Sequence, residues 1–199
     1  MSDVFREVDE EVRRDQFTKL WRRYGNYAIA GVAALIVAFG GYLAWKDYRV
    51  RQAEAEGAQF ASALAELQAG KAADAAKAFA DFAANAGAGY RAMALLQEAS
   101  ARLRVKDING AIAAYDRLAA DSGVDGLWRD LARLLGVMQR LDSALPDDLD
   151  RQLAPLIVDG NPWRFTAREL AAAVRLKAGD RSGARDGFRR VADDAAAPA

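Results

Sequence analysis

Between Arg23 and Lys46 no side chain is charged. As a helix rising about 1.5 Å per residue, the run from Tyr24 to Trp45 would be roughly 33 Å long, enough for a hydrocarbon core of about 30 Å. Aromatic rings bracket the run, with Trp21, Tyr24 and Tyr27 at one end and Tyr42, Trp45 and Tyr48 at the other. Such amphipathic rings favour the headgroup level, so these six are expected to be the membrane-interface anchors of a single span. A core helix in a small domain would keep one solvated face. A cleavable signal would have an apolar region of about 7–15 residues behind a short basic start. This run is longer and follows a segment of mixed charge, so it is expected to stay in the protein as an anchor.

On the N-terminal side, Val4, Phe5, Val8 and Val12, then Phe17, Leu20, Trp21 and Tyr24, recur at steps of three and four. That spacing predicts a short amphipathic helix leading into the membrane, either lying solvated or at the interface or docking on a membrane partner. Arg13, Arg14, Lys19, Arg22 and Arg23 precede the span and Lys46, Arg49 and Arg51 follow it. The positive-inside bias therefore favours a cytoplasmic N-terminus and a long C-terminal domain on the other side. Within the span Ala30, Ala34 and Ala38 recur every fourth residue, beside Gly31, Gly40 and Gly41. Small residues of this kind let a second helix approach closely, so a homo-oligomer is sterically open.

Beyond Lys46 nothing breaks a helix before Gly70 except Gly57, so the membrane helix is expected to continue outward. Gly70, Gly87, Gly89, Gly123, Pro146, Gly160, Pro162 and Gly179 then divide the chain into segments of helical length without strand-like alternation. The fold class is therefore all-α. Comparison of the helices reveals a repeat. Ala63, Leu67, Ala75, Phe79, Phe82 and Ala83 match Ala99, Leu103, Ala111, Tyr115, Leu118 and Ala119 at a spacing of 36 residues. Both match Ala172, Leu176, Ala184, Phe188, Val191 and Ala192, which lie 73 residues beyond the second set. Alanine and leucine four apart share one face of a first helix, and alanine with an aromatic four later faces back from a second. The repeat-packing positions are thus Ala75 and Phe79, Ala111 and Tyr115, and Ala184 and Phe188. A helical hairpin of this kind cannot bury its apolar face alone, and stacked copies form a solenoid.

The Ala-x-x-x-aromatic second helix and the period resemble the tetratricopeptide repeat over about residues 50–194. A middle copy, about Leu127 to Asp159, has drifted. Leu127, Trp128, Leu131, Leu134 and Leu135 keep an apolar face, but Leu145-Pro146-Asp147-Asp148 and Ala154-Pro155 interrupt its second half. Asn161-Pro162-Trp163 is expected to restart a helix, with the asparagine as cap and the proline at the first helical position. Trp163 and Phe165 are expected to staple that start to its neighbour, the alternative being a site for a partner's apolar side chains. The final copy runs into Ala-Ala-Ala-Pro-Ala without a covering helix, so its outer face is expected to be covered by a partner, or the sequence to be shortened.

Composition narrows the chemistry. Of 199 residues, 28 are basic and 28 acidic, which gives no net field to recruit nucleic acid. The absence of cysteine excludes disulfides, thiolate metal sites and a lipidated cysteine. Absence of histidine removes the usual general base and transition-metal ligand. The densest carboxylates, Asp147, Asp148 and Asp150, lack the glycine and glutamate spacing of a calcium loop and suit a helix N-terminus. No enzymatic activity, catalytic residue, metal site or cofactor is therefore expected.

The whole layout resembles one bacterial family. Its marks are Arg22-Arg23-Tyr24-Gly25-Asn26-Tyr27 before the span, Lys46-Asp47-Tyr48-Arg49 after it, the Phe60–Leu67 helix, and Asn161-Pro162-Trp163-Arg164-Phe165-Thr166-Ala167-Arg168-Glu169. These are similar to the single-span proteins with a tetratricopeptide-like periplasmic domain described as ancillary SecYEG translocon subunits, the YfgM type, here with an alphaproteobacterial look. The resemblance implies an inner-membrane protein in three parts. Residues 1–23 would be a cytoplasmic amphipathic segment, 24–45 a transmembrane helix and 46–199 a periplasmic tetratricopeptide-like domain. It also implies partners: the SecYEG translocon, PpiD-like or other periplasmic chaperones, and nascent secreted chains. The expected function is a non-enzymatic scaffold that helps hand secreted chains to chaperones, with a groove lined mainly by the first helices of the hairpins. The alternative is a structural homo-oligomeric or envelope-complex subunit unrelated to secretion.

Overall fold

Eight α-helices follow one another along the described residues, and no strand lies among them: α1 (Ser2–Gln68), α2 (Ala72–Asn85), α3 (Ala88–Arg104), α4 (Ile108–Ala120), α5 (Gly126–Arg140), α6 (Pro146–Leu153), α7 (Arg164–Lys177) and α8 (Arg181–Ala192). The computed structural model describes the backbone of residues 2–197 and the side chains of residues 21–27 and 29–197. The apolar spacing read in residues 3–20 concerns side chains outside the described residues. Two compact units, Met1–Glu54 and Ala55–Ala199, divide the chain.

In the second unit, three hairpin turns are one turn repeated. The last part of α1 pairs with α2, α3 with α4, and α7 with α8. The first helices end at Gln68, Arg104 and Lys177, and the second begin at Ala72, Ile108 and Arg181, with the spacings of 36 and 73 residues kept throughout. In each turn a left-handed residue, Gly70 (φ 81°), Lys106 (φ 61°) or Gly179 (φ 87°), lets the chain double back. The following N–H reaches five residues back, from Lys71 to Glu66, Asp107 to Arg102 and Asp180 to Arg175, at 2.9–3.0 Å. The left-handed residue itself donates three residues back, to Leu67, Leu103 and Leu176. This pair of bonds satisfies carbonyls that the helix end would otherwise leave open. Asp107 and Asp180 then cap the next helix by accepting from the N–H of Gly110 and Gly183, at 2.9 and 2.8 Å. A Cβ on either glycine would overlap the capping carboxylate, which explains glycine there.

The middle hairpin departs from this scheme. α5 ends at Arg140, where the period places it, but α6 starts two residues late, at Pro146. Its longer turn has no left-handed residue. Proline stands in the first turn of α6 with Asp147 and Asp148, where a missing N–H costs nothing and negative charge is favoured. The start of α7 also differs from the sequence expectation. Asn161 Oδ1 accepts from the Trp163 N–H at 2.8 Å, so Asn161 and Pro162 form a turn ahead of the helix, and Trp163 is the flanking residue. The turn is tied down across the chain. Asn161 Nδ2 donates to Asp130 at 2.9 Å and Trp163 Nε1 to the Leu127 carbonyl at 3.1 Å. Trp163 packs on the core and Phe165 is buried, in keeping with the staple reading.

Apolar side chains bury in two clusters. One runs from Ala63 through α2, α3 and α4 to Ala132 of α5, with Phe60, Leu103 and Leu135 packed against it. At its start Phe60 meets Phe79, Phe82 and Tyr90 at ring-centroid distances of 5.4, 6.2 and 5.8 Å. Tilted ring pairs at these distances add to the area buried. The other cluster joins Leu134 and Val137 of α5 to Leu149, Leu153, Leu156, Ala167 and Val174.

Candidate functional site

In the first unit, helix residues from Trp21 onward are long and apolar enough to cross a membrane, and the apolar window has no burial within the protein. Trp21, Tyr24, Tyr27, Tyr42, Trp45 and Tyr48 are all exposed, as are Val32, Leu35, Ile36, Val37 and Phe39 between them. A contiguous apolar surface this large is unusual on a water-facing helix. The aromatic ends also carry cations: Arg23 lies 5.7 Å from the Tyr24 ring centroid and Arg49 5.4 Å from that of Trp45. A guanidinium over a ring face lets the pair bridge apolar and polar surroundings. Ala30, Ala34 and Ala38 are exposed, and a Cβ added at Gly31, Gly40 or Gly41 would meet open space.

In the second unit the repeat-packing positions lie as follows. Ala75, Phe79, Ala111, Tyr115 and Ala184 are buried, whereas Phe188 is 40% exposed and Leu176, its companion on the preceding helix, 51% exposed. Tyr115, by contrast, lies against α5 of the next hairpin, where a Cβ added at Gly136 would be 3.6 Å from its own. Gly187 lets α7 and α8 approach so closely that a Cβ there would lie 2.8 Å from that of Ala172.

The polar centre of the second unit is Glu98 on α3, which is 1% exposed. It accepts from Arg102 Nε at 2.9 Å and from Arg117 Nη2 of α4. Arg102 also donates to Asp107 at 2.8 Å, which links the buried carboxylate to the cap of α4. The Gly110 N–H, with Arg102 second, holds the Asp107 carboxyl below the usual carboxylate range. The Asp107 hydrogen bond in turn raises the Arg102 guanidinium, burial opposing it. Asp180 is likewise lowered, by the Gly183 N–H and the Ser182 hydroxyl.

Two hollows occupy matching places in the repeat. One, of about 430 Å³, is lined by residues including Ala84, Leu95 and Arg117. The other, of about 320 Å³, has Ile157, Arg168 and Arg190 at the corresponding positions, each 73 residues later. Ala171, Arg175, Gly187 and Val191 complete the second hollow. Arg168 is fixed in its wall by Asp159 at 2.7 Å, Asp194 at 3.6 Å and the Ile157 carbonyl at 3.2 Å. Reading apolar positions alone misses both the Glu98 network and this basic hollow. The signal was nonetheless present, since Arg91, Arg102 and Arg117 recur 73 residues on as Arg164, Arg175 and Arg190.

No cluster of acidic residues able to hold a metal ion occurs among the described residues. The family model of the tetratricopeptide repeat-like domain matches residues 18–199. The chain belongs to this family. No curated protein and no solved structure matches it. Tetratricopeptide repeat-like domains typically serve as non-enzymatic scaffolds for protein–protein contact, and the stacked hairpins described above are this domain's realisation of that fold.

Proposed function

We propose that this protein is an inner-membrane scaffold at the SecYEG translocon, binding proteins there and helping to pass secreted chains to periplasmic chaperones of the PpiD kind or others. The observation that carries the reading is the union, in one chain, of an exposed apolar helix long enough to span a bilayer with a tetratricopeptide repeat-like domain. Tethering such a domain beside a channel raises its effective concentration toward emerging chains without any new contact. The excess of basic residues before the span favours residues 1–23 in the cytoplasm, 24–45 in the bilayer and the remainder in the periplasm. The resemblance of the layout to ancillary translocon subunits is what supports these partners.

Two experiments test it. Protease added to intact spheroplasts should digest the C-terminal domain, and alkaline carbonate should leave the full chain in the membrane fraction. A photo-crosslinker placed along α3, from Tyr90 to Leu103, should capture a translocon subunit, a periplasmic chaperone or a secreted chain. A protected domain, or a scan that captures none of these, would remove the proposal. Native mass spectrometry that found only a self-assembled species would favour the homo-oligomeric envelope role through Ala30, Ala34 and Ala38.

A further inference from the structure

We infer that the hollow between α7 and α8 is a receptor for a carboxylate side chain on an acidic, partly apolar peptide segment of a partner. This deepens the scaffold reading and rests on it. The inference comes from one particular difference between two matching hairpins, at the position of the buried carboxylate. In the hairpin of α3 and α4, Arg102 and Arg117 converge on the buried carboxylate of Glu98. In that of α7 and α8 both arginines persist, as Arg175 and Arg190, but the residue 73 positions after Glu98 is Ala171. Arg175, Arg190 and Ala171 all line the hollow of about 320 Å³. Among the described residues neither arginine makes an ion pair, and Arg175 acts on Asp180 only through space. Two guanidinium groups therefore flank the place where an internal carboxylate stands in the sister hairpin.

A guanidinium prefers a carboxylate in fork geometry, and such charge-assisted bonds are among the strongest in proteins. Ile157, Ala171 and Val191 give the hollow an apolar floor, which favours a carboxylate with hydrocarbon beside it over a free inorganic anion. Arg168 is already bound to Asp159 and to the Ile157 carbonyl, so it shapes the wall and leaves the other two to meet the ligand.

The test uses the full chain in detergent micelles. The probe is a fluorescent, N-acetylated and C-amidated peptide with one glutamate between leucines, and its glutamine counterpart serves as control. The glutamate peptide should bind saturably by anisotropy, and the glutamine peptide at least about tenfold more weakly, as loss of a charged hydrogen bond implies. Arg190→Ala should weaken binding to a similar degree, whereas Arg185→Ala, which removes equal charge outside the hollow, should not. Ala171→Glu should restore the internal pair, abolish binding and leave the protein folded by circular dichroism. Should Ala171→Glu fail to fold, the Arg190→Ala and Arg185→Ala pair decides alone. Equal binding of the two peptides, or a folded Ala171→Glu protein that still binds, would overturn the inference. Displacement of the peptide by glutarate at matching affinity would overturn the peptide assignment in favour of a small dicarboxylate. If crosslinks from α3 persist while the peptide results fail, the scaffold reading stands without this site; if the crosslinks fail and the peptide binds, the reverse holds.

Discussion

Phe79 and Phe188 hold the same place in the repeat, yet their truncation should cost very different amounts. Phe79 is fully buried and packs at a tilt against Phe60, with ring centroids 5.4 Å apart. Phe79→Ala removes a complete transfer term and leaves a closed cavity, so the cost is about 4 kcal/mol. Phe188 is 40% exposed, and no later hairpin lies against it among the described residues. Its truncation forfeits only part of the transfer term and opens no sealed void, so about 1 kcal/mol is expected. For a folded unit of this size, at roughly 3 °C per kcal/mol, the two variants should melt about 12 °C and about 3 °C below the parent. Thermal unfolding of the full chain in detergent, followed by circular dichroism at a helical wavelength, reads both shifts. Equal shifts, or a larger one for Phe188→Ala, would refute the assignment of Phe79 to the interior of the stack and of Phe188 to its surface.

Lys106 is the one residue of the three matching turns that pays a side-chain penalty for φ 61°. Lys106→Gly should therefore stabilise by about 0.5–1 kcal/mol, and Gly179→Ala should destabilise by a similar amount; opposite signs in urea titrations would remove the shared-turn account. Asp107 and Asp180 have depressed carboxyl pKa values in the folded state because backbone N–H groups donate to the ionised form. A depressed folded value contributes stability above the unfolded pKa, and that contribution is lost as pH falls through the folded one. Melting temperature should thus decline below roughly pH 4, less so when both residues are replaced by asparagine. Identical acid profiles for parent and double variant would contradict it.

Much of this architecture was legible in the sequence because it depends on spacing. The uncharged run between Arg23 and Lys46 announces a helix of membrane length, and the Ala-to-aromatic steps announce paired helices. The shared turn was harder to see, because lysine occupies at position 106 the place that glycine holds at 70 and 179. Backbone conformation there is imposed by the two adjoining helices and is not visible in residue type. Asn161 and Pro162 carry the signature of a helix start, but Asn161 caps Trp163 and donates to Asp130, which holds the pair as a turn just ahead of α7. Glu98 reads in sequence as one more charge on an alanine-rich helix. Only packing shows that α3 turns it inward, and only comparison with Ala171 gives its neighbours' later counterparts a meaning.

α5 contributes Ala132 to one apolar cluster and, on adjacent turns, Leu134 and Val137 to the other. In a stack stabilised mainly between nearest neighbours, such a helix is a firebreak. Loosening of α6, α7 and α8 bares only one flank of α5, while Ala132 and Leu135 stay covered from the α3–α4 side. The molecule can thus release its C-terminal hairpin, with the basic hollow it carries, without the first cluster melting. Amide exchange should reveal two cooperative blocks that meet within α5.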